Sequence, residues 1–220
     1  MVKIENFNTG PKVNPDVANI NLDPFENIKN KKKIKQLLKN IVESDSKDLE
    51  KNINNAYHPN AELKCFHPVN NISGIDEIYH KLWLPIKNSF TDLERRDCLV
   101  LGGSFQDKLF VSTISLLTGT YKNSWLGIPT NNKTIHLRMC EAHEIKDGKI
   151  IHSHILLDVI DFIRQSGFWP INKSNGAEEL WANSITGDGA IFENIDEQLS
   201  ISSLEQALTM QRSLNIKPES

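Results

Sequence analysis

Most of the residues able to move protons or grip a small ligand lie between His136 and Asp158. If this stretch is a pair of strands, side chains alternate between two faces. His136, Arg138, Cys140 and Ala142 then share one face, and Leu137, Met139, Glu141 and His143 share the other. His152 and His154 fall together on the second strand. Each face mixes apolar with ionisable groups, so neither reads as a plain solvent side. Ionisable groups among buried strand residues suit acid/base chemistry, because burial moves their proton affinities. His152-x-His154 offers two imidazoles, yet only Glu141 or Asp158 would stand as a third metal ligand, and a bland histidine cluster accounts for the spacing as well. No metal is expected.

Asp158 sits between Ile155-Leu156-Leu157 and Val159-Ile160, a carboxylate inside an apolar run where strand gives way to helix. Two readings stand side by side. It caps the helix by accepting from the first-turn amides, or it is a general acid/base with its proton affinity raised by apolar walls. Trp125, in the apolar loop Trp125-Leu126-Gly127-Ile128-Pro129, is either a wall for a planar ligand or a core aromatic, and Trp83 carries the same two readings. GxGxxG, Walker, GxSxG and HExxH patterns are lacking, so no cofactor is expected; Gly102-Gly103-Ser104 reads as a turn.

The elements that must position these groups are read from periodicity. Ile34, Leu37, Leu38, Ile41 and Val42 keep helical spacing, with a lysine-rich solvent face upstream of Glu43. Asp48 to Asn55 predicts a short helix, broken by Tyr57-His58-Pro59-Asn60, and Ala61 to Phe66 a short strand. Ser73 followed by Asp76 predicts a capped helix start, with a kink or restart at Pro85 and an end before Thr91. Leu99 to Leu101, Leu109 to Leu117, Lys133 to Ile145 and Lys149 to Leu157 read as strands, the last two joined by an Asp147-Gly148 hairpin turn. Asp158 to Gln165 reads as a short helix stopped at Gly167. Helices first and closely spaced strands later predict an α+β fold rather than βαβ units. The organisation expected is an extension over 1–28, one domain over 29–170 and a second extension over 171–220 with a weak helical pattern from Gln198 to Leu214.

The 220 residues carry 25 Lys and Arg against 28 Asp and Glu, so no global positive field draws the chain to nucleic acid or an anionic membrane. Three widely spaced cysteines make no disulfide framework, no 18-residue apolar run exists, and Met1 to Gly10 lacks a secretory signal. A cytoplasmic soluble protein is the expectation.

Between residues 34 and 170 the chain resembles the SnoaL-like polyketide cyclases of the NTF2-like group. The resemblance is carried by Tyr57-His58-Pro59-Asn60-Ala61, Gly74-Ile75-Asp76-Glu77-Ile78, Trp83-Leu84-Pro85 and Phe90 to Arg96. Gly119 to Tyr121, Gly127-Ile128-Pro129-Thr130 and the run Ile135 to Gln165 continue it. It implies an NTF2-like cone, with helices packed on a strongly curved mixed sheet around a pocket for a small apolar or polyketide-like ligand. It further implies a homodimer and a cofactor-free intramolecular aldol closure. On that pattern Asp158 is the acid/base and His143 polarises a carbonyl. His154 and Trp125 orient the ligand, while Arg138 and Glu141 match an Arg-x-x-Glu pair. This reading requires the Asp158 carboxylate to face the interior of the cup. A noncatalytic binding or sensing protein, or an isomerase- or hydratase-type enzyme, is the alternative.

Overall fold

The computed structural model describes residues 23–105, 107–169, 172, 188–190, 192 and 196–214. The expected N-terminal extension up to residue 22 and most of 170–195 lie outside the described residues.

Helix α1 (Pro24–Glu43) starts upstream of the charge change at Lys29. Asp23 accepts from the Phe25 amide, and Pro24 occupies the first turn, where its missing N–H costs nothing. Ile34, Leu38, Ile41 and Val42 form its buried stripe, as the spacing predicts. The Lys87 ammonium donates to the Val42 and Ser44 carbonyls and closes the C-terminal end. A 3₁₀ turn (Ser46–Asp48) leads into α2 (Leu49–Ala56), which buries Leu49, Ile53 and Ala56.

The six strands form one sheet in the order β2-β1-β6-β5-β4-β3. They are β1 (Tyr57–Lys64), β2 (Asn71–Ser73), β3 (Phe90–Phe105), β4 (Lys108–Tyr121), β5 (Thr134–Lys146) and β6 (Lys149–Leu157). Only β1 and β6 pair in parallel; every other neighbouring pair is antiparallel. The sheet is therefore mixed, and α1, α2 and the central helical segment cover one of its faces. Register shifts in β3, between β1 and β6, and between β5 and β6 bend the strands around those helices.

Three expectations change here. Tyr57 to Asn60 ends α2 as expected, but β1 already starts at Tyr57 rather than at Ala61, and Pro59 falls inside the register shift between Tyr57 and Glu62, where no ladder donor is needed. Strand β3 is 16 residues long, not three, and takes in Gly102-Gly103-Ser104, which pair with Val111, Phe110 and Leu109 instead of turning. Glycine belongs at 102 because α1 crosses there: a Cβ would lie 2.3 Å from Asn27 Oδ1, and Asn27 Nδ2 donates to the Gly102 carbonyl at 3.0 Å. The start of α3 (Gly74–Glu77) is held by Glu77 rather than Asp76. Its carboxylate accepts from the Ser73 amide at 2.8 Å, while the Ser73 hydroxyl makes no cap bond.

Helix α3 runs on through a π-helical segment (Ile78–Trp83) into α4 (Leu84–Ser89). The disturbance expected at Pro85 appears just upstream of it: the Leu84 amide donates five residues back, to the Tyr79 carbonyl. The hairpin at Asp147-Gly148 has positive φ at both residues (51° and 74°), the geometry a two-residue turn needs. Helix α5 (Val159–Gln165) and helix α6 (Glu197–Leu214) complete the described elements. In the C-terminal segment the Phe192 ring lies under the Lys31 and Lys35 ammonium groups. Gly189 rests so close to β3 that a Cβ would come within 2.6 Å of the Cys98 carbonyl oxygen. Among the described residues no helix is long and apolar enough to cross a membrane.

A Cβ at Gly119 in β4 would sit 2.8 Å from the Thr91 carbonyl oxygen and 2.9 Å from Leu93 Cδ2. Gly119→Ala should therefore destabilise the fold by about 1–3 kcal/mol. Urea unfolding checks this; unchanged stability would mean that β3 and β4 have room to part there.

Candidate active site

Alternation along β5 sends Leu137, Met139, Glu141, His143 and Ile145 to the helix-covered face and leaves His136 and Cys140 exposed on the other. Register then builds a polar band across the middle of the buried face. Glu141 stands beside Thr113 of β4, His143 beside Ser153 of β6, and Asp97 of β3 beside Ser115 of β4. Arg95, two residues before Asp97, points the same way. Arg95, Thr113, Ser115, Glu141, His143 and Ser153 are all buried polar residues.

The band is organised around one guanidinium. Arg95 Nε donates to Asp97 Oδ1 at 2.9 Å, and Nη2 donates to Glu141 Oε2 at 2.6 Å and to Thr113 Oγ1 at 2.9 Å. The Thr113 hydroxyl donates in turn to Glu141 Oε2 at 2.9 Å. One carboxylate oxygen is thus fully engaged. Glu141 Oε1 has no hydrogen-bond partner among the described residues, and neither do Arg95 Nη1, Ser115 Oγ or His143 Nε2. His143 Nε2 lies 3.8 Å from Glu141 Oε1, while Nδ1 meets Ser153 Oγ at 2.8 Å. Unfilled hydrogen-bonding capacity this deep is uncommon in folded proteins.

Burial sets the protonation states. Desolvation pulls His143 down to about 4, against an opposing pull from Glu141, so the imidazole is neutral near pH 7. Desolvation opposes the Glu141 charge, but Arg95, His143 and the hydrogen bonds from Arg95 and Thr113 outweigh it and hold the carboxyl below its usual range. Tyr57, at the start of β1, and Cys65, just past its end, belong to the same neighbourhood. Burial, then the Glu141 charge, raises both, the thiol to about 12. The Trp83 indole N–H lies beside the Tyr57 hydroxyl and partly offsets its rise.

The residues singled out in the sequence divide among four places. Glu141, His143 and Trp83 are buried in this interior. Asp158 and Arg138 meet at the end of the sheet, Arg138 Nη2 lying 3.3 Å from Asp158 Oδ2 and 2.8 Å from Asp161 Oδ2. Asp158 caps α5, accepting from the Asp161 amide at 2.9 Å, and its side chain is 40% exposed; the carboxylate does not face the buried band. Burial works against the charge of Asp161, yet hydrogen bonds from Arg164, Arg138 and Gln165 prevail and hold it below the ordinary range. Trp125 packs among Phe66, Phe90 and Phe162 as a core aromatic. His154 is exposed on the opposite sheet face, opposite Ala142. The Arg-x-x-Glu spacing does not make a pair, because residues three apart on a strand point to opposite faces; Glu141 finds its cation in Arg95 instead. Among the described residues no three His, Cys, Asp or Glu side chains are grouped to hold a metal ion.

Arg95, Asp97 and Thr113 were not singled out from the sequence. The available signal was an arginine and an aspartate two apart, hence on one strand face, but with β3 read as starting at Leu99 they fell outside any strand.

The arrangement defines a class: an α+β cone with helices on a bent mixed sheet and ionisable groups on the enclosed face. Solved structures share the fold. AclR, a candidate hydroxylase from Streptomyces galilaeus, aligns at a TM-score of 0.52 with 13% identity, over 87% of this chain and 99% of that one. IdmH, a candidate polyketide cyclase from Streptomyces antibioticus, aligns at 0.50 with 16% identity, over 66% of this chain and 99% of that one. A candidate polyketide cyclase from Acidithiobacillus ferrooxidans aligns at 0.51 with 14% identity, over 63% and 94%. The chain has the fold of the SnoaL-like, NTF2-like proteins. No protein-family model and no curated protein matches it.

The His143 shift carries a pH signature. In the unfolded chain the imidazole titrates near 6.5, and in the folded chain near 4. Between those values the unfolded state binds the extra proton, so stability falls as pH drops through this window and levels off below it. The contribution is roughly 3 kcal/mol. His143→Asn keeps an amide able to reach Ser153 and removes the titrating ring, so its unfolding free energy should lose this slope between about pH 6.5 and 4. Parallel pH profiles of the two proteins would refute the assignment.

Proposed function

We propose that the chain is a cofactor-independent acid/base enzyme that enolises a small carbonyl compound in the interior beneath the π-helical segment. The supporting observation is the buried pair His143 Nε2 and Glu141 Oε1, 3.8 Å apart and each without a hydrogen-bond partner among the described residues. With Nδ1 accepting from the Ser153 hydroxyl, the imidazole proton lies on Nε2, where it hydrogen-bonds a substrate carbonyl oxygen. Glu141 Oε1 takes the adjacent α-proton, and the enolate gains stabilisation from Nε2–H and from the Arg95 charge. Arg95 makes Glu141 a weak base, which suits a substrate with already acidic α-protons, as in a polycarbonyl chain. Attack of the enolate on a second carbonyl, followed by return of the proton to the new alkoxide, gives a cyclase; return of the proton to another carbon gives an isomerase. The fold shared with candidate polyketide cyclases favours the first outcome.

The resemblance gives the acid/base part to Asp158, but the geometry favours Glu141, since Asp158 is committed to α5 and Arg138. Hydrogen–deuterium exchange at the α-carbon of ethyl acetoacetate, a 1,3-dicarbonyl, in weakly acidic D₂O, followed by NMR, distinguishes them. His143→Asn should slow exchange by about a hundredfold or more, and Asp158→Asn by less than about tenfold. Loss on Asp158→Asn with retention on His143→Asn would return the role to Asp158. No exchange above buffer, with a small molecule extracted unchanged from the protein, would establish the noncatalytic binding alternative.

A homodimer is part of the same proposal. On the outer sheet face Ile114, Cys140 and Leu156 stand side by side across three strands, and Leu156 is 66% exposed; Leu99, next in the row, packs against Gly189. An apolar row of this extent suits an isologous interface. Leu156→Asp should shift sedimentation from dimer to monomer; an unchanged sedimentation coefficient would place the interface elsewhere.

A further inference from the structure

The unfilled hydrogen-bonding positions around the Arg95–Glu141 pair have a pattern of their own. The guanidinium and the carboxylate touch through one atom each, Nη2 and Oε2, rather than as a two-point fork. The other arm of each, Nη1 and Oε1, is buried and unpartnered among the described residues. One donor and one acceptor therefore stand open beside the same ion pair. Formal charge restricts what can fill them. Arg95 is one cation against two carboxylates, Asp97 and Glu141, with side chains no more than 1% exposed. The interior carries one net negative charge.

An entering carboxylate would satisfy Nη1 but meet that negative charge and leave Oε1 without a donor. An entering ammonium or amidinium would satisfy Oε1 but face the guanidinium and leave Nη1 without an acceptor. Each leaves a buried polar group unpaired, the costliest kind of mismatch in a closed site. A neutral group with a hydrogen-bond acceptor next to a donor satisfies both arms. Tyr57 and Trp83, both fully buried, belong to the same interior, where the Glu141 and Arg95 charges act on the Tyr57 hydroxyl.

We infer that the interior binds a neutral ligand presenting one hydrogen-bond acceptor to Arg95 Nη1, beside the carbonyl held by His143 Nε2, and an acidic hydrogen, on oxygen, nitrogen or the activated α-carbon, to Glu141 Oε1, as a 1,3-dicarbonyl, its enol or a carboxamide does. This ligand class rests on the reading of the interior as the working site. It excludes free acids and amines as substrates.

Benzamide, benzoate and benzamidine share one shape and differ in charge and in donors and acceptors, so they test the inference directly on the full chain. NMR titration near neutral pH, read at the His143 ring protons, reports affinity and location together. Benzamide should bind at least about tenfold more tightly than either charged analogue. Glu141→Gln removes the negative charge and should raise benzoate affinity relative to benzamide by about tenfold or more. If that variant fails to fold, the wild-type ranking still decides. Equal or tighter binding of benzoate or benzamidine overturns the inference, as does the absence of any shift at His143 with all three. Benzamide preference without ethyl acetoacetate exchange would leave the ligand class standing and reject catalysis. Exchange with a charged-ligand preference would do the reverse.

Discussion

The Arg95–Glu141 ion pair is the constraint on which the interior depends. Both side chains are fully out of water. Desolvating two charges costs several kcal/mol each, so the pair survives only with good geometry and further hydrogen bonds. Asp97 and Thr113 supply them, and the Arg95 amide donates to Glu43 Oε1 at 3.0 Å, tying the end of α1 to the same point. Three adjacent strands therefore meet at one guanidinium, and the end of α1 at the amide of the same residue. Removing Arg95 would leave two buried carboxylates uncompensated, at a cost of about 3–5 kcal/mol. A hydrophobic core of equal volume would be at least as stable, so stability alone does not explain a cluster that keeps unfilled valences.

Local chemistry explains which elements were legible. The stripe from Ile34 to Val42, the Asp147-Gly148 turn and the Gly167 stop each rest on neighbouring residues, and each forms where periodicity and turn chemistry put it. Asp158 also forms a cap that its position allowed. The extent of β3 depends instead on pairing with β4, and a window that weighs Glu94, Arg95, Arg96 and Asp97 sees charge before it sees strand. Pro59 is tolerated only because the β1–β6 register slips around it, a fact of the partner strand rather than of the tetrapeptide.

The site divides along the same line. His143 and Glu141 were visible as two ionisable groups on one face of a strand that otherwise buries apolar residues. Their partners were not. Arg95 lies 46 positions from Glu141, and no spacing rule connects them before the sheet order is known. The Arg138-x-x-Glu141 pattern pointed to a nearer cation, but the two-residue period of a strand sends that arginine to the far face, where it joins Asp158 and Asp161. Among the described residues one buried acid–arginine centre is enclosed and another lies at the rim. In the enclosed one an atom of each partner lacks a hydrogen bond.

Helical geometry connects this interior with the residues above it. Pro85 has no N–H to return to the carbonyl four residues back, and just upstream the Leu84 amide reaches Tyr79 instead of His80. That one-residue slip widens the turn across Ile78–Trp83, the segment that buries Ile78, Leu82 and Trp83. The indole beside Tyr57 thus sits on an irregular turn with a weaker hydrogen-bond ladder. π-Turns of this kind concentrate at functional sites because a regular helix is otherwise preferred. An irregular helix and a sheet whose buried ion pair keeps unpartnered atoms each depart from the most stable arrangement, and the Trp83 indole beside the Tyr57 hydroxyl, on which the Glu141 charge acts, puts both departures in one neighbourhood. Departures of this kind are intelligible where function asks for them.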